Sequence, residues 1–303
     1  IFLFSDFTPD PKYNDAIKGA KKLIKTKCDI IVVIGGGSAI DMAKLINAAQ
    51  ADLENFKQVA LGKKKLGSKT KKIIAIPTTA GTGSESTHFA VVYIRGKKYS
   101  LASKRLIPTI AIIDPVLAYN VPKPQSASCA FDALSQSLES YWSISSSRKS
   151  RSLSARSIKI ILNNLDKSIN LKNKTSIKNL MIAANLSGQA INLTKTTAPH
   201  ALSYKISSLT NISHGHAVAI TLGHFFEINQ FSKKVNGNYT VKKLSKIMNE
   251  IYTLLGVKNA IEAKNKWISL MKMCNLETEF KKIGIENHKS VKKIISSINV
   301  KDK

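Results

Sequence analysis

The segment DIIVVIGGGSAIDMAK passes from an unbroken apolar run, Ile30 to Ile34, through Gly35, Gly36, Gly37 and Ser38 into a helical pattern. Residues this small let the backbone close on a diphosphate. The free N–H groups and dipole of a helix start attract the same anion. Ser38 is placed to cap that helix, and Asp41 falls in its expected first turn. Three glycines alone fit a plain strand–turn–helix joint equally well. A second segment changes the balance. Pro77-Thr78-Thr79-Ala80-Gly81-Thr82-Gly83-Ser84-Glu85 also follows an apolar run, and Thr78, Thr79, Thr82 and Ser84 supply hydroxyls where strand ends converge on a ligand. Together the two segments predict a nucleotide site.

The elements that must position these loops are legible as well. Ile1 to Phe4 opens as an apparent strand, Tyr13 to Lys25 has helical spacing, and Ser38 to Gln50 reads as the helix after the glycines. Ile73 to Ile76 and Ile110 to Ile113 are further short buried strands, while Phe89 to Tyr93 and Tyr99 to Ala102 flank Arg95-Gly96-Lys97 as a hairpin. Strands alternating with helices predict a mostly parallel sheet covered on both faces. After Pro122 and Pro124 the pattern becomes helical throughout: Ala127–Trp142, Ser152–Leu165, Thr175–Lys195, His216–Gln230, Val241–Leu255 and Asn259–Met273. The expected organisation is an α/β dinucleotide-binding domain over 1–116 and an all-α metal and substrate domain over 117–303. The chain opens within the apparent strand and closes on a lysine-rich tail, so it reads as cut at both ends.

A net charge of +28 invites a nucleic-acid reading, but only Arg95, Arg105, Arg148, Arg151 and Arg156 are arginines among 47 basic residues. Phosphate-backbone recognition recruits arginine forks as well as lysines, and here the lysines are scattered. The densest group, Lys63 to Lys72 around Gly62 and Gly67, has the composition of a solvated loop. No nucleic acid is expected, though the charge favours anionic substrates. No stretch reaches the roughly 18 to 20 apolar residues of a membrane helix, and no leader pattern is visible. Cys28, Cys129 and Cys274 lack pairing or metal spacing, which suits a reducing, cytoplasmic setting.

GGGSAIDMAK, PTTAGTGSE and the later IIDP resemble, in order, the signature segments of the iron-containing alcohol dehydrogenase family. That resemblance implies a Rossmann-like nucleotide domain followed by a helical metal domain, in a dehydroquinate synthase-like fold. It implies that Gly36, Gly37 and Ser38 hold a pyrophosphate, that Thr78, Thr79, Thr82 and Ser84 line the cleft, and that Lys98 contacts the cofactor. Where the family often has an acidic residue at the first strand's end, Ser5 stands here, followed by Asp6. A carboxylate there repels a 2′-phosphate and serine tolerates one, so both NAD(H) and NADP(H) stay open.

The same resemblance assigns the metal. FDALSQSLESYW, TTAPHALSY and HGHAVAI look like the family's metal-binding helices, with Asp132, Gln136, His200 and His214 at the ligand positions. Asp132 and Gln136 are four apart on a helix and share a face. The family pattern has histidine where Gln136 stands, so the glutamine is either a neutral fourth ligand or a residue behind a three-ligand site. One carboxylate and two imidazoles suit Fe2+, with Zn2+ second, and leave a place for a substrate oxygen. Tyr204 replaces a histidine that the family places for proton traffic, and its phenol is either a proton donor or a packing group.

Lys195, Thr196 and Thr197 precede His200; if helical, the two threonines lie on its face, and with the lysine they suit a charged, oxygen-rich group. TKTTAPHALSY, the glutamine of DALSQ, and THFAVVY with KYSLA resemble the phosphonoacetaldehyde reductase branch of the family, over Phe2 to Gln230. The expected activity is reduction of an anionic aldehyde to a primary alcohol. A general short-chain alcohol dehydrogenase and an inactive or binding-only descendant are the alternatives, and a homodimer is left open.

Overall fold

The computed structural model describes residues 1–235 and 239–296; the last residues of the lysine-rich tail lie outside them. The first part of the chain runs α1 (Tyr13–Thr26), β1 (Ile30–Gly35), α2 (Gly37–Ala51), α3 (Phe56–Ala60), β2 (Lys72–Pro77), β3 (Phe89–Ile94), β4 (Lys97–Ala102) and β5 (Ile110–Ala111). β1, β2 and β5 form a parallel sheet in that order, with Ile30 opposite Lys72 and Gly35 opposite Pro77. This register brings the ends of β1 and β2 side by side, and Thr78 N–H donates to Gly35 O at 3.0 Å. The two loops singled out in the sequence are therefore neighbours. β3 and β4 pair as an antiparallel hairpin.

α2 is the helix that the glycines open onto. It is buried along Ile40, Met42, Ala43, Leu45, Ile46, Ala48 and Ala49, because it lies between α1 on one side and β1 and β2 on the other. Lys44 is wholly enclosed here. Its ammonium donates to Ser84 O, Thr87 O and Phe89 O at 2.6, 3.0 and 2.9 Å, with both hydroxyls of Ser84 and Thr87 also in range. Burial brings its pKa down to about 8 against the opposing pull of Asp41 and Glu85. A charge this deep is tolerated because carbonyls replace its water. The lysine staples the loop after β2 onto α2.

Two sequence expectations fail in this half. Residues 1–8 form no strand: an apolar run becomes one only where a neighbour completes its ladder. Phe4 and Phe7 instead pack against the α1–α2 cluster. Nor, among the described residues, is the sheet covered on both faces. α2 covers one, while Ile30, Val32, Ile34 and Ile110 on the other are 49 to 62% exposed.

From residue 123 the described chain is helical: α4 (Lys123–Trp142), α5 (Arg148–Ile169), α6 (Lys174–Thr194), α7 (Ala198–Leu209), α8 (His214–Gln230), α9 (Val241–Leu255), α10 (Ala260–Met273) and α11 (His288–Ser296). α4 is the central helix, buried continuously from Ala127 to Trp142 and packed on α5, α6, α8 and α9. Phe131 and Phe226 meet Trp267 edge-on in the main core. No described helix is long and apolar enough to cross a membrane. The two halves meet where backbones touch: Gly83 and Gly188 leave no room for a Cβ on either side.

Candidate metal and nucleotide site

Asp132 on α4, His200 on α7 and His214 at the start of α8 converge, their ligand atoms all within 4.8 Å of one another. His200 Nε2 lies 3.2 Å and His214 Nε2 3.9 Å from Asp132 Oδ1. The outer nitrogens are fixed as well. His200 Nδ1 bonds Glu139 Oε2. The Ser203 hydroxyl donates to His200 O at 2.6 Å, so its oxygen accepts from His214 Nδ1–H at 3.3 Å. Both imidazoles are thus held with Nε2 turned towards the carboxylate, the arrangement in which histidines present a lone pair to a cation. One carboxylate and two such imidazoles fit a divalent metal.

The electrostatics agree. Burial alone raises Asp132, but the His200 hydrogen bond, with the neighbouring histidines and Lys98, brings it below the usual carboxylate range. Burial lowers His214, and Lys98 adds to this, so its imidazole is neutral. Burial also opposes charge on His200, yet Glu139 and Asp132 outweigh it and lift its pKa to about 9. A cation taking His200 Nε2 must expel that proton. Metal affinity should therefore rise about tenfold per pH unit between roughly pH 6 and 8; chelator competition at several pH values measures it, and a flat profile would contradict the geometry. The stability of the metal-free protein carries the opposite sign. The imidazolium's contribution is complete below the ordinary histidine value and is lost as pH rises through about 9.

Gln136 stands beside the three ligands, but both ends of its amide are engaged. Nε2 donates to Thr82 O at 3.2 Å, and Oε1 accepts from Ser187 Oγ at 2.9 Å. In this arrangement it ties α4 to the loop after β2 and to α6. Tyr204 lies between Lys98 and His214: the ammonium sits 3.4 Å from the ring centroid, and the ring stacks on His214 at 5.6 Å. Desolvation and the Glu139 and Asp132 carboxylates move the phenol pKa up, so the hydroxyl keeps its proton at neutral pH. Lys98 reaches this point from β4. Burial lowers its pKa to about 8, with Asp41, Asp10 and Asp132 acting against the fall.

On the nucleotide side, Gly36 is the N-cap of α2 and no side chain caps it. Ser38 lies inside the first turn instead, with its Oγ 3.4 Å from Asp10 N. The helix thus presents its first N–H groups beside Thr79 and Thr82, and a Cβ at Gly37 would stand 2.6 Å from the Thr82 methyl. An uncapped helix start ringed by hydroxyls fits a diphosphate. Two expected cleft residues are otherwise occupied. Asp41 lies one turn into α2, where Oδ1 takes the Ser84 hydroxyl and Oδ2 takes Val91 N–H. Ser84 is buried between Asp41 and Lys44. Ser5 is exposed on the irregular first segment.

The stretch before His200 also departs from expectation. α6 ends at Thr194, and Lys195, with φ +79°, turns the chain into α7. Thr196 and Thr197 are therefore not on the helical face of His200. Thr197 Oγ1 bonds Glu139 Oε1 at 2.9 Å and accepts from Trp142 Nε1 at 3.0 Å, while the Lys195 side chain is exposed. Glu139 is the functional residue that sequence reading missed. Its position was readable: seven residues after Asp132 and three after Gln136, it shares their helix face.

A family model described as iron-containing alcohol dehydrogenase matches residues 1–115, and its C-terminal counterpart matches 126–301. Aldehyde-alcohol dehydrogenase 2 of Entamoeba histolytica is 32% identical over 309 residues, covering 94% of this chain and 35% of that protein. The phosphonoacetaldehyde reductase of Streptomyces viridochromogenes is 32% identical over 219 residues, 69% of this chain and 55% of its own length. The chain therefore spans well under two thirds of either relative. The solved sulfoacetaldehyde reductase of Bifidobacterium kashiwanohense, in complex with NAD+, matches with a TM-score of 0.87 at 28% identity, over 98% of this chain and 77% of that one. All three converging donors lie within the second of the two matched segments, and the chain belongs to the iron-containing alcohol dehydrogenase family.

Proposed function

We propose that the chain reduces a small anionic aldehyde to a primary alcohol, phosphonoacetaldehyde to 2-hydroxyethylphosphonate, using NADH or NADPH and a divalent metal, Fe2+ ahead of Zn2+. The observation that carries this reading is the convergence of Asp132, His200 and His214 beside Lys98. Two named relatives, whose aldehydes carry a phosphonate or a sulfonate, support the substrate class. When bound, the ion supplies Lewis acidity at the aldehyde oxygen and the nicotinamide supplies hydride. The protein's own part is positional. Asp132, His200 and His214 would hold the metal, and the Gly36–Ser38 and Thr78–Thr82 loops would hold the dinucleotide. The ammonium of Lys98 adds positive charge where the anionic substrate must sit. In this reading the chain divides near residue 117 into nucleotide and metal units.

Lys195 remains the proposed outer contact for the phosphonate, reaching from the turn between α6 and α7. Lys195→Ala should raise KM about tenfold for phosphonoacetaldehyde, the lower end of a charge-assisted hydrogen bond's worth, and leave butanal unchanged. Equal changes for both aldehydes would remove Lys195 from the substrate site. The substrate class is tested by comparing the two aldehydes in metal-loaded protein, following consumption of reduced nicotinamide. Strong preference for phosphonoacetaldehyde supports the proposal; preference for butanal replaces it with a general alcohol dehydrogenase.

A further inference from the structure

Glu139 lies at the bottom of the metal site, wholly buried on α4, and its two oxygens do different things. Oε2 bonds His200 Nδ1. Oε1 receives the backbone N–H of Thr197 at 2.8 Å, the Thr197 hydroxyl at 2.9 Å and the backbone N–H of His200 at 3.3 Å. Thr197 is the N-cap of α7 and makes no side-chain cap of its own. The carboxylate on α4 therefore takes over the capping of α7 from outside it, where negative charge at a helix start is favoured. Trp142 Nε1, one turn further along α4, fixes Thr197 Oγ1 from its other side at 3.0 Å.

We infer that Glu139 is a positioning residue for the metal centre: one carboxylate sets both the seat of α7 and the tautomer of His200. The inference rests on the proposed metal site. With Nδ1–H donated to Glu139, the neutral imidazole of His200 that a cation meets carries its lone pair on Nε2, the nitrogen that faces Asp132. An amide cannot reproduce this. Glutamine at 139 has one oxygen for two sets of donors. If it serves Thr197 N–H, its NH2 faces His200 Nδ1, drives the proton to Nε2 and blocks the cation. If it flips, the NH2 faces the N–H groups of α7 and the cap is lost.

The test is metal affinity, not turnover. Zn2+ dissociation constants are measured by chelator competition, and the visible spectrum of the Co2+-loaded protein reports ligand geometry. Glu139→Gln should weaken Zn2+ binding about 10- to 100-fold and change the Co2+ spectrum. Thr197→Val, which removes one hydroxyl and keeps the backbone donors, should weaken it less, by about threefold to tenfold. It carries the test alone if Glu139→Gln does not fold. A purely structural role would lower the melting temperature of these variants while leaving Zn2+ affinity and spectrum as in the unmodified protein. That result would overturn the inference and leave the metal site standing. Failure of the unmodified protein to bind Zn2+ or Co2+ would overturn both.

Discussion

Asp132→Ala should abolish metal retention and lower kcat/KM for aldehyde reduction by at least about a thousandfold, near 4 kcal/mol of transition-state stabilisation. Asp132 is the one anionic donor of the cluster, and both imidazoles are oriented towards its Oδ1. Its removal leaves two neutral nitrogens facing a cation, with Lys98 adding positive charge close by. Asp132→Asn is the sharper version, because it keeps the volume and removes only the charge. The loss should be nearly as large, since the amide lacks the anionic character that a hard or borderline divalent ion requires. Metal content by elemental analysis and kcat/KM on the same preparations measure it. Full metal retention in Asp132→Asn would place the centre elsewhere.

The contact between the two halves gives the second large effect. Gly83 has φ +61°, and a Cβ there would stand 2.5 Å from Gly188 Cα and 2.8 Å from Ala184 O. Both neighbours are helix backbone and cannot rotate aside. Gly96, at φ +73° on the hairpin turn, has nothing within 4 Å of the same position. Gly96→Ala therefore isolates the left-handed backbone penalty, about 1 kcal/mol. Gly83→Ala adds overpacking, for a total of about 3 kcal/mol or more. Thermal unfolding of the two variants side by side measures the difference. Equal melting temperatures would mean that the loop after β2 does not seat against α6 as described.

The parts legible in the sequence are those where local chemistry and tertiary role coincide. Ile30 to Ile34 followed by glycines names a buried strand and its loop whatever the rest of the chain does. Asp132 and Gln136 share a face because helix geometry makes them share one. Other features depended on contacts between distant segments. Nothing local marks Lys44 for burial; its enclosure follows from carbonyls 40 to 45 residues away. Ser84 and Asp41 carried the right chemistry for a cofactor cleft, but they satisfy each other and Val91 N–H. The end of α6 at Thr194 carries neither glycine nor proline; Lys195 adopts positive φ, which local propensity disfavours. Spacing places Glu139 on the face of Asp132 and Gln136, but its role depends on Thr197 and His200, which arrive from another helix.

The central claim is that Asp132, His200 and His214 hold one catalytic divalent ion. Its most direct test is an anaerobic Fe2+ titration of metal-stripped protein, following oxidation of reduced nicotinamide with phosphonoacetaldehyde as substrate. The account predicts no turnover without metal, and a linear rise that saturates at one ion per chain. Turnover that is complete in the stripped protein, or that is absent when one ion per chain is bound, would contradict it.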